Sequence, residues 1–376
     1  MYPRLTLDIA WRDLLWAAFG GDRPQALPDG LVAALSARTL FDTILNEAAL
    51  PPGSPVVMSG INIQNMADLI RLHGLAPHFV DVAPDTLLPE NEVLLDAQAR
   101  TGAKLCLVAH LFGGHSPIKA IDTLRARGVC VIEDLAQGFS PEALAAEPAG
   151  DIALFSFGPI KRRTALGGAL GRFRDAGLAG RIRGRLNAHP PLGDGWFRVR
   201  ARKYLLLKAL NHPLPYGLLF RGLESLGRDP DTVIGRLARG FSGDDLRRNI
   251  RHRPSPRLLQ LMARQVAGDH DLPRRQALCT AFLARLPVAA RIGQATEHSV
   301  HWLLPVIAPD PDGLILSLRR QGFDATRGAT SLRAFTATQA DRLIDHIVYL
   351  PHPADMAANA RDRLAEAVIQ ALARAG

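Results

Sequence analysis

The sequence predicts an α/β protein with a mostly parallel central sheet sandwiched by helices and a smaller α+β domain at its C-terminal end. Three observations carry that prediction. Strand-like and helix-like stretches alternate from about residue 56 to residue 173, the pattern of a sheet wrapped by helices. Lys104-Leu105-Cys106-Leu107-Val108-Ala109-His110 is an almost unbroken apolar run, as in a strand covered on both faces. After a long basic stretch, alternation resumes near residue 256 and lasts to the end.

The elements follow in order. Val56–Ser59 reads as a short strand, Ile63–His73 as a helix and Pro77–Val82 as a second strand. The run at Lys104–His110 is the third strand, and Ile118–Arg127 is a helix. Strands then end at Asp134 and span Ile152–Phe157, with Leu166–Phe173 continuing the series. Trp196–Asn211 has helical spacing with a basic face of Arg198, Arg200, Arg202, Lys203 and Lys208. Pro213–Leu226 is apolar with few charges, and Asp229–Ser255 is rich in Arg and Gly. Helices are expected at Pro256–Val266, Pro273–Leu286, Asp312–Gln321 and Met356–Ala373, and strands at Val300–Ile307 and Ile347–Leu350. The domains are therefore expected to be 1–255, large, and 256–376, small, with an atypical basic segment at about 181–247.

At 376 residues the chain is long enough for that division. Its 47% hydrophobic and 22% charged residues are ordinary for a soluble globular protein. It has no apolar run of spanning length and no signal-type apolar core at the N-terminus. Its three cysteines, Cys106, Cys130 and Cys279, include two in apolar strand-like runs, which points to reduced thiols and a cytoplasmic location. The net charge of +9 is concentrated: residues 161–257 hold 22 Lys/Arg against 7 Asp/Glu, and 22 − 7 gives +15. Such a patch suits anionic partners. Nucleic acid is not expected, and 196–226 is a candidate for peripheral contact with a membrane surface. The commoner arrangement for such a helix is packing at a subunit interface or over a site. Among the 12 histidines no metal-type spacing is read, so no metal is expected.

Chemistry is concentrated in one stretch. Val129-Cys130-Val131-Ile132-Glu133-Asp134 is a strand ending in a carboxylate, and Lys161 follows the next strand 27 residues later. A buried Asp and a Lys at neighbouring strand ends suit pyridoxal phosphate. The Lys attaches to the aldehyde as a Schiff base. The Asp keeps the pyridine nitrogen protonated, so the ring accepts electrons. Ligands in such sheets bind beyond the carboxyl ends of strands, where His110, Asp134 and Ser156 all fall. Glu133, one residue before Asp134, faces the other way in an extended strand and reads as structural.

These residues sit in a set of ordered motifs: Glu133-Asp134-Leu135-Ala136-Gln137, Ser156-Phe157-Gly158-Pro159-Ile160-Lys161, Gly167-Gly168, Val108-Ala109-His110-Leu111-Phe112-Gly113, Pro77-His78-Phe79-Val80-Asp81-Val82 and Leu350-Pro351-His352-Pro353. In that order they resemble the DegT/DnrJ/EryC1/StrS family of sugar aminotransferases, which has the type I fold of pyridoxal-phosphate enzymes. The resemblance runs from about Leu35 to the C-terminus. It implies that Lys161 is the Schiff-base lysine and moves the proton, that Asp134 holds the pyridinium, and that Gln137 lies by the ring's phenolic oxygen. It implies phosphate binding by Ser156 and by the turn Ser36-Ala37-Arg38-Thr39, a helix N-terminus with exposed N–H groups. His110 becomes a candidate ring contact, and Arg251 a contact to the partner subunit's cofactor in a homodimer.

The chain departs from the family at particular positions. Arg38 stands for the usual Thr, Ala37 for Gly, Leu166 for Glu and Arg251 for Asn. Ile63 stands where an aromatic residue stacks on the cofactor ring. Residues 181–247 have no counterpart. The expected function is transfer of an amino group from an amino-acid donor, glutamate or glutamine, to a keto or aldehyde acceptor such as a sugar or another biosynthetic intermediate. Relatives that dehydrate sugars carry His where this chain has Lys161, which favours aminotransfer over other pyridoxal-phosphate chemistry. A non-catalytic cofactor-binding sensor is the reading from another class.

Overall fold

The computed structural model describes residues 1–21, 25–238, 245–268, 271–336 and 338–375. Its centre is a seven-stranded sheet in the order Leu31–Ala34, Ala169–Phe173, Ile152–Ser156, Cys130–Asp134, Leu105–Ala109, Pro55–Ser59, Ala76–Val80. Ala169–Phe173 runs antiparallel to both its neighbours, and the remaining contacts are parallel. Sequence and structure agree on this mostly parallel α/β sheet.

The sheet is buried on both sides, and the sequence shows why. Leu105 and Leu107 face one core together with Val56, Met58 and Ile132. Cys106 and Val108 face the opposite core with Val57 and Val131. Successive strand residues point to opposite faces, so a strand between two helical layers must be apolar at every position. Register then sets the active edge. Ala109 lies opposite Asp134, and Asp134 opposite Leu154, so the carboxyl ends of three strands finish side by side.

Two expected strands are shorter than read. Leu166–Phe173 becomes a strand only from Ala169, because Leu166 and Gly168 take positive φ of 64° and 87°. Gly168 has no room for a side chain: an added Cβ would lie 2.1 Å from Met262 Sδ. Val300–Ile307 becomes a strand only from Leu304, pairing with Ile347–Leu350. His301 at φ 45° breaks the extended run, and the Val300 amide is already committed to the Gly113 carbonyl at 2.9 Å.

The basic segment folds as helices at Asp194–Leu210, Pro213–Ser225, Pro230–Ala238 and Leu246–Ile250. Phe197, Ala201 and Tyr204 pack into a core with Phe155, Phe157 and the first helix, Trp11–Phe19. The Pro256–Val266 helix forms at the expected bounds, capped by Ser255, and Leu258, Leu261 and Met262 join that same core. A separate core gathers Cys279, Phe282, Val306, Leu318, Phe323, Val348 and Leu364 from the C-terminal segment. A buried ion pair ties the regions together. Arg4 donates to Asp324 at 2.6 and 2.8 Å, and Tyr216 from the inserted helices donates to the same carboxylate. Among the described residues no helix is long and apolar enough to cross a membrane. Cys106, Cys130 and Cys279 are all free thiols.

Candidate active site

A cavity of about 660 Å³ opens at the carboxyl edge of the sheet. Asp134, Gln137, Ser156 and Lys161 line it, and Ser36, Ala37 and Arg38 line it from the N-terminus of the Ala37–Ala48 helix. These seven residues, spread over 126 positions of sequence from Ser36 to Lys161, thus converge with Gly167 on one space.

Each side chain is fixed by local structure. Ser36 caps its helix by accepting the Thr39 amide at 3.1 Å, which leaves the neighbouring helix-end N–H groups directed at the cavity, a natural anion seat. Arg38 adds a cation there and donates to Asn65 Oδ1 at 2.8 Å. Asp134 accepts the Ala136 amide at 3.0 Å. Gln137 Oε1 accepts the Phe112 amide at 2.7 Å, holding the side chain across the strand ends. Ser156 Oγ accepts the Gly158 amide at 3.4 Å.

Burial dominates the electrostatics of the site. Burial raises the Asp134 pKa, although Lys161 nearby favours the carboxylate. Burial pulls Lys161 down to about 8, against Asp134, which raises it, and with Arg38, which lowers it further. A protonated ring nitrogen would relieve the penalty on Asp134, and an aldehyde needs the neutral amine that a lowered pKa supplies. Asn62, 2% exposed, lines the same cavity with a buried Nδ2 that finds no acceptor. The residues present therefore fit pyridoxal phosphate: a helix N-terminus for its phosphate, a carboxylate and an amine all line one cavity.

Three expected positions lie elsewhere. Thr39 is fully buried and donates to the Ile250 carbonyl at 2.9 Å, so it braces the turn rather than lining the cavity. His110 does not line the cavity either. It is 1% exposed, lies 3.4 Å from Glu133 Oε1 and meets the His115 ring edge-on at 4.9 Å. Its strand ends one residue earlier, and the side chain turns beneath the sheet edge, towards the carboxylate read as structural. Glu133 also accepts the Gly150 amide at 2.7 Å. Ligand-type atoms of His110, His115 and Glu133 lie within 4.8 Å of one another, a grouping that linear spacing does not reveal. Arg251 grips Asp42 of its own chain through two hydrogen bonds at 2.8 and 3.0 Å.

Sequence reasoning missed Trp302. It lines the cavity opposite the sheet, and the Lys161 ammonium lies 3.9 Å from its ring centre. Its indole N–H donates to the Ile160 carbonyl at 2.6 Å. Trp302 thus brings an aromatic ring to the cavity from the C-terminal segment. Its only trace in the sequence is an aromatic residue within the run expected as the Val300–Ile307 strand. Ile63, Asn65, Thr330 and Arg333 complete the rim.

The fold is α/β, and one cavity at the carboxyl edge of its sheet brings a lysine and an aspartate together. Residues 31–190, less than half of the chain, match the model of the DegT/DnrJ/EryC1/StrS aminotransferase family. Similar proteins include the UDP-4-amino-4-deoxy-L-arabinose–oxoglutarate aminotransferase of Shewanella sediminis (strain HAW-EB3). It is 32% identical over 161 residues, which are 42% of this chain and 41% of that protein. The aligned segment thus spans about two fifths of that relative. Among solved structures, the aminotransferase TlmJ of Streptoalloteichus hindustanus superposes with a TM-score of 0.69 at 17% identity, covering 100% of this chain and 99% of the other. The putative sugar aminotransferase Spr1654 of Streptococcus pneumoniae, in its PMP-form, gives 0.65 at 12% identity over 99% of this chain and 98% of its own. These two share the fold across the full length of both chains.

Proposed function

We propose that the protein is a pyridoxal-phosphate-dependent aminotransferase that passes an amino group from an amino-acid donor, glutamate or glutamine, to a keto or aldehyde acceptor such as a sugar. The observation that carries this reading is the pairing of Lys161 and Asp134 on one cavity whose far end is a capped helix N-terminus. Lys161 would attach the cofactor; Asp134 and Gln137 would hold the ring; Ser156, Ala37, Arg38 and the helix-end amides would seat the phosphate, with Thr39 bracing that turn. When bound there, pyridoxal phosphate supplies an aldehyde that carries the amino group between substrates and a ring that accepts electrons.

The chain's own residues do the rest. Lys161, with a pKa of about 8, is partly neutral near pH 7 to 8, so it takes a proton from carbon and returns it without a large energetic gap. Asp134 would pair with the ring nitrogen of the bound cofactor and keep it protonated. Trp302 lies 3.9 Å from the lysine ammonium and would shield it from water. The order of events requires two half-reactions, since one amino group must leave the donor before the acceptor arrives.

The same reading includes a cytoplasmic homodimer of two-domain subunits divided near residue 255, with Arg251 facing the partner's cofactor. The free thiols support the location. The contact between Arg251 and Asp42 would orient that guanidinium from its own side. The test is a half-reaction: loaded enzyme mixed with glutamate should release the matching oxo-acid in one equivalent per Lys161, and Lys161→Ala should release none. Tight cofactor binding with no such release would favour the sensor reading instead.

A further inference from the structure

Two helices expose apolar side chains that no described residue covers. Trp11, Leu15 and Phe19 of the Trp11–Phe19 helix are 48%, 48% and 60% exposed. Val199 and Leu206 of the Asp194–Leu210 helix are 66% and 64% exposed. The two helices pack against each other through buried residues including Leu14, Ala17, Phe197 and Ala201, and their outer stripes adjoin. The Arg202 guanidinium lies 5.2 Å from the Phe19 ring centre, and the Lys208 ammonium 5.4 Å from that of Trp11. The next helix continues the pattern, with Leu214 and Leu218 at 75% and 72% exposure.

The charge around this stripe has one sign. Arg12, Arg202 and Lys203 are exposed beside it, and Arg198 and Lys208 are partly exposed. The two carboxylates on these helices are engaged elsewhere: Asp13 is buried against Arg264 at 2.5 Å, and Asp194 accepts the Arg257 amide at 3.0 Å. Five exposed apolar side chains framed by cations on the same two helices are the composition of a surface that lies in a lipid interface. A second copy docking here through a two-fold axis would set the same cations against themselves. Anionic lipid instead neutralises each of them.

We propose that the face formed by the Trp11–Phe19 and Asp194–Leu210 helices docks on an anionic lipid bilayer. Trp11, Leu15, Phe19, Val199 and Leu206 enter the headgroup boundary, and Arg12, Arg202 and Lys203 pair with lipid phosphates. The proposal is independent of the reaction at Lys161, since its readout is binding alone.

The test is co-sedimentation of the full-length protein with vesicles of phosphatidylcholine alone and of phosphatidylcholine mixed with phosphatidylglycerol. The mixed vesicles should bind at least about ten-fold more protein, and added salt should weaken that binding. Val199→Glu with Leu206→Glu should reduce it ten-fold or more with an unchanged melting temperature, and Arg202→Glu with Lys203→Glu should abolish the preference for anionic lipid. Equal binding to both vesicles, or none, overturns the proposal. So does sedimentation velocity showing that Val199→Glu with Leu206→Glu splits a larger assembly of this chain, because the face then belongs to a second copy.

Discussion

The Lys161 ammonium nitrogen lies 3.9 Å from the centre of the Trp302 ring, although 141 residues separate the two in sequence. An aromatic face beside an amine has two opposing effects. It attracts the cation through its quadrupole, and it excludes the water that solvates that cation. Burial is the larger effect here, because the lysine is held down to about 8.

That value fixes a pH dependence. Attack on an aldehyde needs the neutral amine, so the rate at which apoprotein takes up pyridoxal phosphate should rise with pH and level off above about 8. The sign for stability follows from the same shift. Between the folded value of about 8 and the ordinary 10.5, the unfolded chain holds a proton that the folded chain has shed. The contribution of Lys161 to apoprotein stability therefore increases with pH across that window, and its penalty is constant below it. Stopped-flow absorbance over a pH series measures the loading rate, and a midpoint near the ordinary lysine value would contradict the burial argument.

Trp302→Ala should admit water beside Lys161 and move that loading midpoint upward. It also removes the indole N–H bond to Ile160, which positions the residue before the lysine. Turnover should fall by roughly ten-fold or more, as expected when a reacting group loses its fixed orientation. Trp302→Phe keeps the ring and loses the N–H, so its midpoint should stay near the native one while turnover falls. Equal midpoints in all three proteins would show that Trp302 has no part in setting the lysine's pKa.

Asp134→Asn keeps the shape and deletes the charge. Lys161 loses the neighbour that favours its protonated form, so its pKa should drop below the native value in apoprotein. In loaded enzyme the ring nitrogen loses its anion, and turnover should fall by about 10²-fold or more, the scale of a lost catalytic group. The loading midpoint and steady-state rates check the two parts separately. An Asn variant with native rates would remove Asp134 from the site.

Gly168→Ala should destabilise the fold. Its φ of 87° disfavours any side chain, and the new Cβ would lie 2.1 Å from Met262 Sδ. Overpacking of this kind costs about 1–3 kcal/mol. Met262→Ala in the same chain should recover part of that loss, so the double variant should be less destabilised than the sum of the two single ones. Urea denaturation measures all three, and strict additivity would show that the contact is not the cause.

The sheet was legible because covered parallel strands must be apolar throughout, as Leu105–Ala109 is. The Lys161–Asp134 pair was legible because strand ends in such sheets form the site. Trp302 was not, since its placement depends on His301 leaving the extended conformation and on a bond to Ile160, neither of which leaves a periodic trace. His110 sits just past a strand end, and its ring lies 3.4 Å from Glu133 Oε1, a contact that strand alternation does not reveal. Thr39 was read as a phosphate contact from its motif, while its hydroxyl is committed to Ile250 across 211 positions. The helices of the basic segment were partly visible in spacing, yet their exposed stripe emerges only when Trp11–Phe19 lies alongside.

The most direct measurement uses the scarcity of lysine. The chain has only five: Lys104, Lys119, Lys161, Lys203 and Lys208. Purified protein incubated with pyridoxal phosphate, reduced with borohydride and digested should carry the cofactor on the peptide containing Lys161 and on no other, in near one-to-one amount. A colourless protein that yields no labelled peptide, or a label on any of the other four, would contradict the account.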